Sequence, residues 1–154
     1  MQYLSYILLG LALSLLPAAS RSETFSLDVD GNGQATALTD GLLIIRYLFG
    51  FSGTALVAGA LGNDATVTSP AAIIAHLDSH KAAFDIDGDG STLPLTDGLL
   101  IIRYLFGFEG AALVAGAVGD SAVRIDAITL GNFLDALRPE TSGGTTPGSG
   151  ENPE

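Results

Sequence analysis

Two short runs of this sequence place oxygen-bearing side chains at alternate positions and then turn at a glycine. Their residues are Asp28, Asp30, Asn32 and Gly33 in the first run, and Asp85, Asp87, Asp89 and Gly90 in the second. Alternate oxygen donors around a tight loop suit a hard cation, and calcium binds roughly six to eight oxygens at about 2.3–2.6 Å. Magnesium demands a stricter octahedron and keeps more waters, which favours calcium. The two runs therefore predict two loops that each bind a calcium ion.

Later positions of the loops supply further candidate ligands. Gln34 and Ser91 follow the glycines and are expected to contribute their main-chain carbonyls. Thr36 is expected to bind the ion directly or through a water. Leu93 takes the place of Thr36 in the second loop, so the ligand there is a water or is absent.

The residue that closes each loop is displaced by one position. A loop of this kind ends on an acid at its twelfth position, where this chain has Thr39 and Thr96. Asp40 and Asp97 come one residue later in both runs, as though each loop carried one extra residue. We predict Asp40 and Asp97 as the closing carboxylates, with Thr39 and Thr96 as the alternative pair.

Each loop leads into the same apolar segment. The fourteen residues from Leu38 to Phe51 recur unchanged as Leu95 to Phe108, 57 residues later. The run from Leu42 to Phe49 is apolar nearly all round, which is typical of a helix buried on several sides. We expect this helix to begin near Thr39, as an N-cap, and to end at Gly50 as its C′ residue.

Two shorter helices are expected after each apolar helix. In the first unit they are a helix from Thr54 to Leu61 and one opened by Ser69 as N-cap and Pro70 as first residue. Each unit alone leaves its apolar helix uncovered, so the two units must pack together. The predicted fold is all-α, with two tandem calcium-loop–helix repeats of about 57 residues in one small domain.

The sequence predicts that the chain is divided into four segments. They are a signal peptide at residues 1–22, the first repeat at 23–82, the second repeat at 83–139 and a flexible Gly/Ser/Thr/Pro tail at 140–154. Leu4 to Leu16 is almost wholly apolar and is followed by small residues up to Ser20, which favours export over the alternative of a buried N-terminal helix. The predicted location is secreted or periplasmic, with no stable membrane span after signal removal. The tail is expected either to end the chain or to lead to a neighbouring domain.

Composition narrows the classes of function. The formal net charge is −11, and the six basic residues form no cluster, which argues against a nucleic-acid partner. Without cysteine the chain has no disulfide, thiolate metal site or cysteine nucleophile. No serine-nucleophile motif, phosphate loop or HExxH motif is present. We therefore expect a protein that is not an enzyme.

A duplicated Asp-rich loop followed by one helix resembles the dockerin module of bacterial polysaccharide-degrading systems, an EF-hand relative. The resemblance covers two stretches of about 24 residues. It implies calcium positions at Asp28, Asp30, Asn32 and Asp40, and at Asp85, Asp87, Asp89 and Asp97. It also implies a partner, either a cohesin-like domain or cell-surface material, met through the end of the loop, where Ala37-Leu38 and Pro94-Leu95 stand. The expected function is a secreted structural or protein-interaction module. The alternative is a non-catalytic appendage of a glycoside hydrolase enzyme or complex.

Three other interpretations carry less weight. His76 and His80 have a spacing that can hold zinc, but two solvent-facing histidines without a third ligand are the simpler interpretation. Arg46 and Tyr47 recur with the helix, and we expect the arginine to pair with loop acids and the tyrosine to lie in the core. An intracellular calcium sensor is disfavoured because the chain has one methionine and so no Met-rich groove.

Overall fold

All regular structure in the described part of the chain is helical. The computed structural model describes residues 25–139, and that range contains no strand. The helices are α1 (Leu42–Leu48), α2 (Gly53–Val57), α3 (Pro70–Ser79), α4 (Asp97–Leu105), α5 (Gly110–Val114) and α6 (Ala127–Asp135). A wide π-type turn (Ala37–Gly41) precedes α1, and a 3-10 turn (Lys81–Phe84) follows α3. The all-α prediction is confirmed, whereas the predicted signal peptide and tail lie outside the described residues.

Helices of the second half (83–139) repeat helices of the first half (25–82) at a constant spacing in the sequence. α2 and α5 begin 57 residues apart, and so do α3 and α6. Fully buried side chains at matching positions are Leu43, Ile44, Leu56, Ile73 and Leu77 in the first half, and Leu100, Ile101, Leu113, Leu130 and Leu134 in the second. These side chains form one continuous cluster, so both halves contribute to a single core.

The two halves meet where α1 packs against α4, and a glycine allows the close approach on each side. A Cβ atom at Gly41 would lie 3.1 Å from Leu105 Cδ1, and one at Gly98 would lie 3.1 Å from Ile45 Cγ1. Gly98 occupies the position of Gly41 in the repeat, so the contact is reciprocal. This packing covers the apolar helices that neither half could cover alone.

Glycine also ends both apolar helices, as predicted for Gly50. This residue has a φ of +83°, a conformation open to glycine without steric cost. Its N–H donates to Tyr47 O at 2.8 Å, and the N–H of Phe51 donates to Arg46 O at 2.9 Å. These two bonds define a Schellman motif, which satisfies the carbonyls left free at the helix end.

The start of α3 agrees with its prediction, whereas the end of α2 does not. Ser69 is the N-cap residue and Pro70 the first helical residue, although the Ser69 side chain makes no capping hydrogen bond. The second predicted helix was expected to reach Leu61 but stops at Val57. Gly59 has a φ of +64°, which a continuing right-handed helix cannot contain.

The repeated arginine and tyrosine connect helices, and one of their two predicted roles is wrong. Arg46 does not pair with loop acids, because its Nη1 donates to the carbonyls of Leu56 and Ala58 at 3.0 and 2.9 Å. These carbonyls lie at the end of α2, where helical carbonyls have no N–H partner within the helix. The Tyr47 hydroxyl donates to Asp78 Oδ1 on α3 at 2.5 Å. Arg46 and Tyr47 therefore attach α2 and α3 to α1.

The two ends of the range 25–139 lie next to each other in the fold. The N–H of Leu27 donates to the carbonyl of Leu137 at 2.7 Å. Leu27 itself is fully buried. In residues 25–139, none of the helices is long and apolar enough to cross a membrane.

Candidate metal sites

The structure gathers carboxylates at both predicted loops. Carboxylate oxygens of Asp28, Asp30 and Asp40 lie within 4.8 Å of one another, as do those of Asp85, Asp87 and Asp89. Among residues 25–139 these are the groups of three or more acidic, His or Cys residues close enough to share an ion. Asp40 belongs to the first group, whereas Asp97 does not belong to the second. Two Asp clusters that could hold a metal ion are thus present.

Each loop turns its main-chain N–H groups towards its first acid. Gly33 N donates to Asp28 Oδ2 at 2.8 Å, and Gly90 N donates to Asp85 Oδ2 at 3.1 Å. Both glycines have a positive φ, +84° and +87°, so the sharp turn predicted at these positions is confirmed. The first carboxylate of each loop is thereby fixed in orientation by one of its oxygens.

The other oxygen of the first acid differs between the loops. In the first loop the N–H of Asn32 donates both to Asp28 Oδ1 at 3.0 Å and to Asp30 Oδ1 at 3.2 Å. In the second loop the N–H of Asp89 donates to Asp87 Oδ1 alone, at 3.1 Å. Asp85 Oδ1 is shielded from solvent and accepts no hydrogen bond. An anionic oxygen that is desolvated without a partner is costly, and a bound cation would remove that cost.

A distant segment holds the second acid of each loop, and sequence reasoning missed it. Gly62 N donates to Asp30 Oδ2, and Gly119 N donates to Asp87 Oδ2, both at 2.7 Å. A Cβ atom at Gly62 would overlap the Asn32 side chain. The available clue was a glycine recurring at the same repeat offset. This glycine directly follows the helix predicted from Thr54 to Leu61 and would have ended it.

Asp40 binds the main chain of its own loop. Its Oδ1 accepts the N–H groups of Val29 and Asp30 at 2.8 and 3.2 Å. Its Oδ2 accepts the N–H of Thr36 at 2.9 Å and the hydroxyl of Thr39 at 2.7 Å. Four donors match the roughly four acceptor positions that a carboxylate offers. Fully buried, Asp40 joins the start of the apolar helix to both ends of the loop.

Asp97 repeats this arrangement in the second loop. Its Oδ1 accepts Ile86 N at 2.7 Å, and its Oδ2 accepts Leu93 N at 2.8 Å and the Thr96 hydroxyl at 3.0 Å. Whether Asp40 and Asp97 also close the metal sites stays a prediction.

A wide turn accommodates the extra residue of each loop. Gly41 N donates to Thr36 O at 3.0 Å, and Gly98 N donates to Leu93 O at 3.1 Å. Both bonds span five residues, one more than an α-helical turn, as in a π-bulge. The added residue therefore widens the helix start and directs the Asp40 carboxylate back towards the loop. Thr39 lies within this turn and does not serve as the predicted N-cap.

The remaining predicted ligands lie at the outer side of the loops. Asn32 Oδ1 accepts the N–H of Gln34 at 2.8 Å, and Asp89 Oδ1 accepts the N–H of Ser91 at 2.7 Å. Gln34 and Ser91 are exposed. The hydroxyl of Thr36 shares a hydrogen bond with that of Thr39 at 2.5 Å. These contacts leave the ligand roles of all five residues as predictions.

Burial raises the pKa of two loop acids. The pKa of Asp30 lies above its ordinary value, first because burial disfavours the charged form and then because of the charges of Asp40 and Asp28. The pKa of Asp97 is raised chiefly by burial, against the opposing effect of its main-chain donors. A nearby cation would favour the ionised form of both acids.

The histidine pair belongs to neither cluster. His76 and His80 are partly buried and not solvent-facing, and their rings lie 4.8 Å apart. Phe25 packs beside both, with its ring centroid 5.9 Å from that of His76 and 5.2 Å from that of His80. These contacts place the pair in an aromatic cluster at the edge of the core.

Comparison with protein-family models, with curated proteins and with solved structures finds no match for this chain.

Proposed function

We propose that this protein is a non-catalytic calcium-binding module in which two Asp-rich loops each hold one ion. The observation that carries the proposal is the Oδ1 atom of Asp85, which is shielded from solvent within a group of three carboxylates and has no hydrogen-bond partner. A carboxylate oxygen that is shielded from water without a hydrogen-bond donor costs free energy, and a bound cation would remove that cost. The cluster of Asp28, Asp30 and Asp40 in the first loop supports the proposal of a second ion.

Calcium suits these groups better than other common metals. Every candidate side-chain ligand is a carboxylate, amide or hydroxyl oxygen. Such oxygen ligands bind hard cations in preference to softer metals. The loops are irregular segments turned by glycine, and calcium tolerates irregular coordination where magnesium requires near-octahedral geometry. Binding is expected to stabilise the fold, since the same acids repel one another without a cation.

We further propose that the module is dockerin-like, secreted, and bound to a partner protein of the cohesin or cell-surface type. Support comes from apolar side chains exposed at matching positions in both halves. Leu38 and Leu95, at the loop ends, are each 65% exposed. Phe49 and Phe51, with their counterparts Phe106 and Phe108, are about half exposed. These exposed apolar side chains, repeated in both halves, are the candidate contact surface for a partner. The second candidate is an appendage of a glycoside hydrolase, which the coding sequence beyond Glu154 would test.

Calcium titration by calorimetry, together with thermal melts in chelator and in calcium, tests the metal proposal. Wild type is expected to bind two ions and to melt at a higher temperature with calcium than with magnesium at the same concentration. Asp85→Asn is expected to bind one ion. Asp120→Asn removes an exposed acid outside both clusters and is the control, so it should still bind two. Identical wild-type melts in calcium and chelator would contradict the proposal.

The partner proposal needs its own experiment. Immobilised wild type would be tested against purified cohesin-type domains in calcium, with Leu38→Ser and Leu95→Ser as separate and combined variants. Binding that is lost only in the combined variant indicates two equivalent surfaces, whereas loss in one single variant indicates one. Absence of any binding would contradict a cohesin partner while leaving the calcium proposal intact.

A further inference from the structure

The two loops differ in charge at a pair of positions that change together. Asn32 of the first loop corresponds to Asp89 of the second, and Val67 corresponds to Arg124. The second loop thus has one more acid than the first, and one arginine that the first lacks. Together its four acids and Arg124 leave a net charge of −3, equal to the three acids of the first loop.

Arg124 lies against the main chain of the second loop. Its Nε donates to Ile86 O at 2.5 Å, and its Nη2 donates to Asp85 O at 2.6 Å. A Cβ atom at Gly88 would lie 3.1 Å from the same Nη2, so the guanidinium covers this stretch of the loop closely. The other side of the guanidinium faces Phe133, with Cζ 4.2 Å from the ring centroid. The cation therefore uses one edge for the main-chain carbonyls and one face for the aromatic ring.

The first loop has no equivalent contact. Val67 is apolar, and the side chain of its neighbour Thr66 makes one neutral hydrogen bond, from Oγ1 to Gly31 O at 2.8 Å. Hydrogen bonds from an ionised donor are about twice as strong as neutral ones, and arginine remains charged at any ordinary pH. The second loop therefore has a permanent cationic contact that the first loop lacks.

We propose that Arg124 is a built-in counter-cation of the second loop, so the two calcium sites are unequal. The second loop keeps its shape without calcium, because Arg124 fixes its main chain and offsets the extra charge of Asp89. The first loop depends on the ion, so calcium binding there is coupled more strongly to local folding. This inference rests on the proposed calcium function for its binding part alone, because the effect of Arg124 on the calcium-free loop stands by itself.

Hydrogen exchange of the wild type in chelator tests the inequality directly. The amides of Asp89, Gly90 and Gly119 are expected to exchange more slowly than their counterparts Asn32, Gly33 and Gly62, by roughly tenfold or more, because the loop with the charged contact opens less often. Calcium is expected to slow amide exchange more in the first loop, at Asn32, Gly33 and Gly62, than in the second loop. Equal exchange of the two sets in chelator would overturn the inference.

Arg124→Val, which copies the first loop at this position, tests the role of the arginine. In chelator its melting temperature is expected to fall by roughly 5–10 °C, since two charge-assisted bonds are lost. Calcium should then raise that temperature more in the variant than in wild type. Arg124→Lys keeps the charge without the planar fork and is expected to melt between the two. Melting of Arg124→Val at the wild-type temperature in chelator would overturn the inference.

The two proposals can fail separately. If calcium changes neither exchange nor melting of the wild type, the proposed function fails. The comparison in chelator still decides whether Arg124 holds the second loop. If calcium protects both loops equally while Arg124→Val behaves as wild type, the calcium function stands and the role of Arg124 is excluded.

Discussion

The carboxylate of Asp40 accepts the main-chain N–H of Val29 at 2.8 Å, across eleven residues of chain. Asp97 and Ile86 make the same bond at 2.7 Å. Each bond joins the first turn of an apolar helix to the start of its Asp-rich loop, in a fully buried position. These two acids therefore belong to the framework of the loop, whatever part they take in binding an ion.

Replacing Asp40 by asparagine is expected to destabilise the protein even without calcium. One carboxylate oxygen becomes an NH₂ group that cannot accept, so at least one N–H among those of Val29, Asp30 and Thr36 loses its acceptor within the loop. Such a loss costs about 1–3 kcal/mol. Urea unfolding in chelator would measure it.

Asp64→Asn, at an exposed acid outside the loops, is the control and should unfold as wild type does. Asp85→Asn offers a second contrast, because its Oδ1 has no donor to lose. It should weaken calcium binding with little cost in chelator. Equal unfolding free energies for Asp40→Asn and wild type would contradict the framework role.

Tyr47 is expected to ionise late in an alkaline titration. Burial and then the Asp78 carboxylate raise the pKa of Tyr47 from 10.0 to about 12. Because the folded pKa exceeds the unfolded one, the contribution of Tyr47 to stability is fully present below pH 10 and is lost as pH rises through about 12. Ultraviolet absorbance of tyrosinate would follow the ionisation.

Asp78→Asn is the matched variant for this titration. It removes the negative charge beside the hydroxyl and should bring the pKa of Tyr47 closer to its ordinary value. Tyr47→Phe should remove one late step and thereby assign it. Late ionisation that persists unchanged in Tyr47→Phe would show that another tyrosine is responsible.

Two helical glycines are expected to respond in opposite directions to larger side chains. Gly41→Val should destabilise by about 1–3 kcal/mol or more, because a Cβ there would lie 3.1 Å from Leu105 Cδ1 and the methyl groups of valine would overpack the α1–α4 contact further. Gly131→Ala should stabilise by about 0.5–1 kcal/mol, since a helical alanine loses less entropy on folding.

Denaturant unfolding of both variants would check this pair. No neighbouring atom lies within 4 Å of a Cβ built at Gly131, which borders an open groove beside α5. Gly98→Val is the matched variant of Gly41→Val and should cost a similar amount, given the reciprocal contact. Destabilisation by Gly41→Val without any by Gly98→Val would contradict that reciprocity.

Local sequence patterns predicted those features that depend on residues within a turn or two. Alternate acids before a glycine indicated the two clusters, and Gly50 indicated the end of α1. Ser69 followed by Pro70 indicated the start of α3. The chemical groups that form these features lie next to one another in the chain, so residue type and spacing were sufficient to predict them.

Contacts between distant segments were decided only by the tertiary structure. Gly62 contributes to the first loop from outside it, and Arg46 reaches the end of α2 instead of the loop acids. Residue type alone did not specify these partners, because a carboxylate or guanidinium bonds whichever donors or acceptors packing leaves unsatisfied nearby. By itself the sequence determined two Asp-rich loops and the all-helical fold of residues 25–139. Which acids support a loop, and which remain free for an ion, depended on the packing of α1 against α4 and on the segments returning from each half.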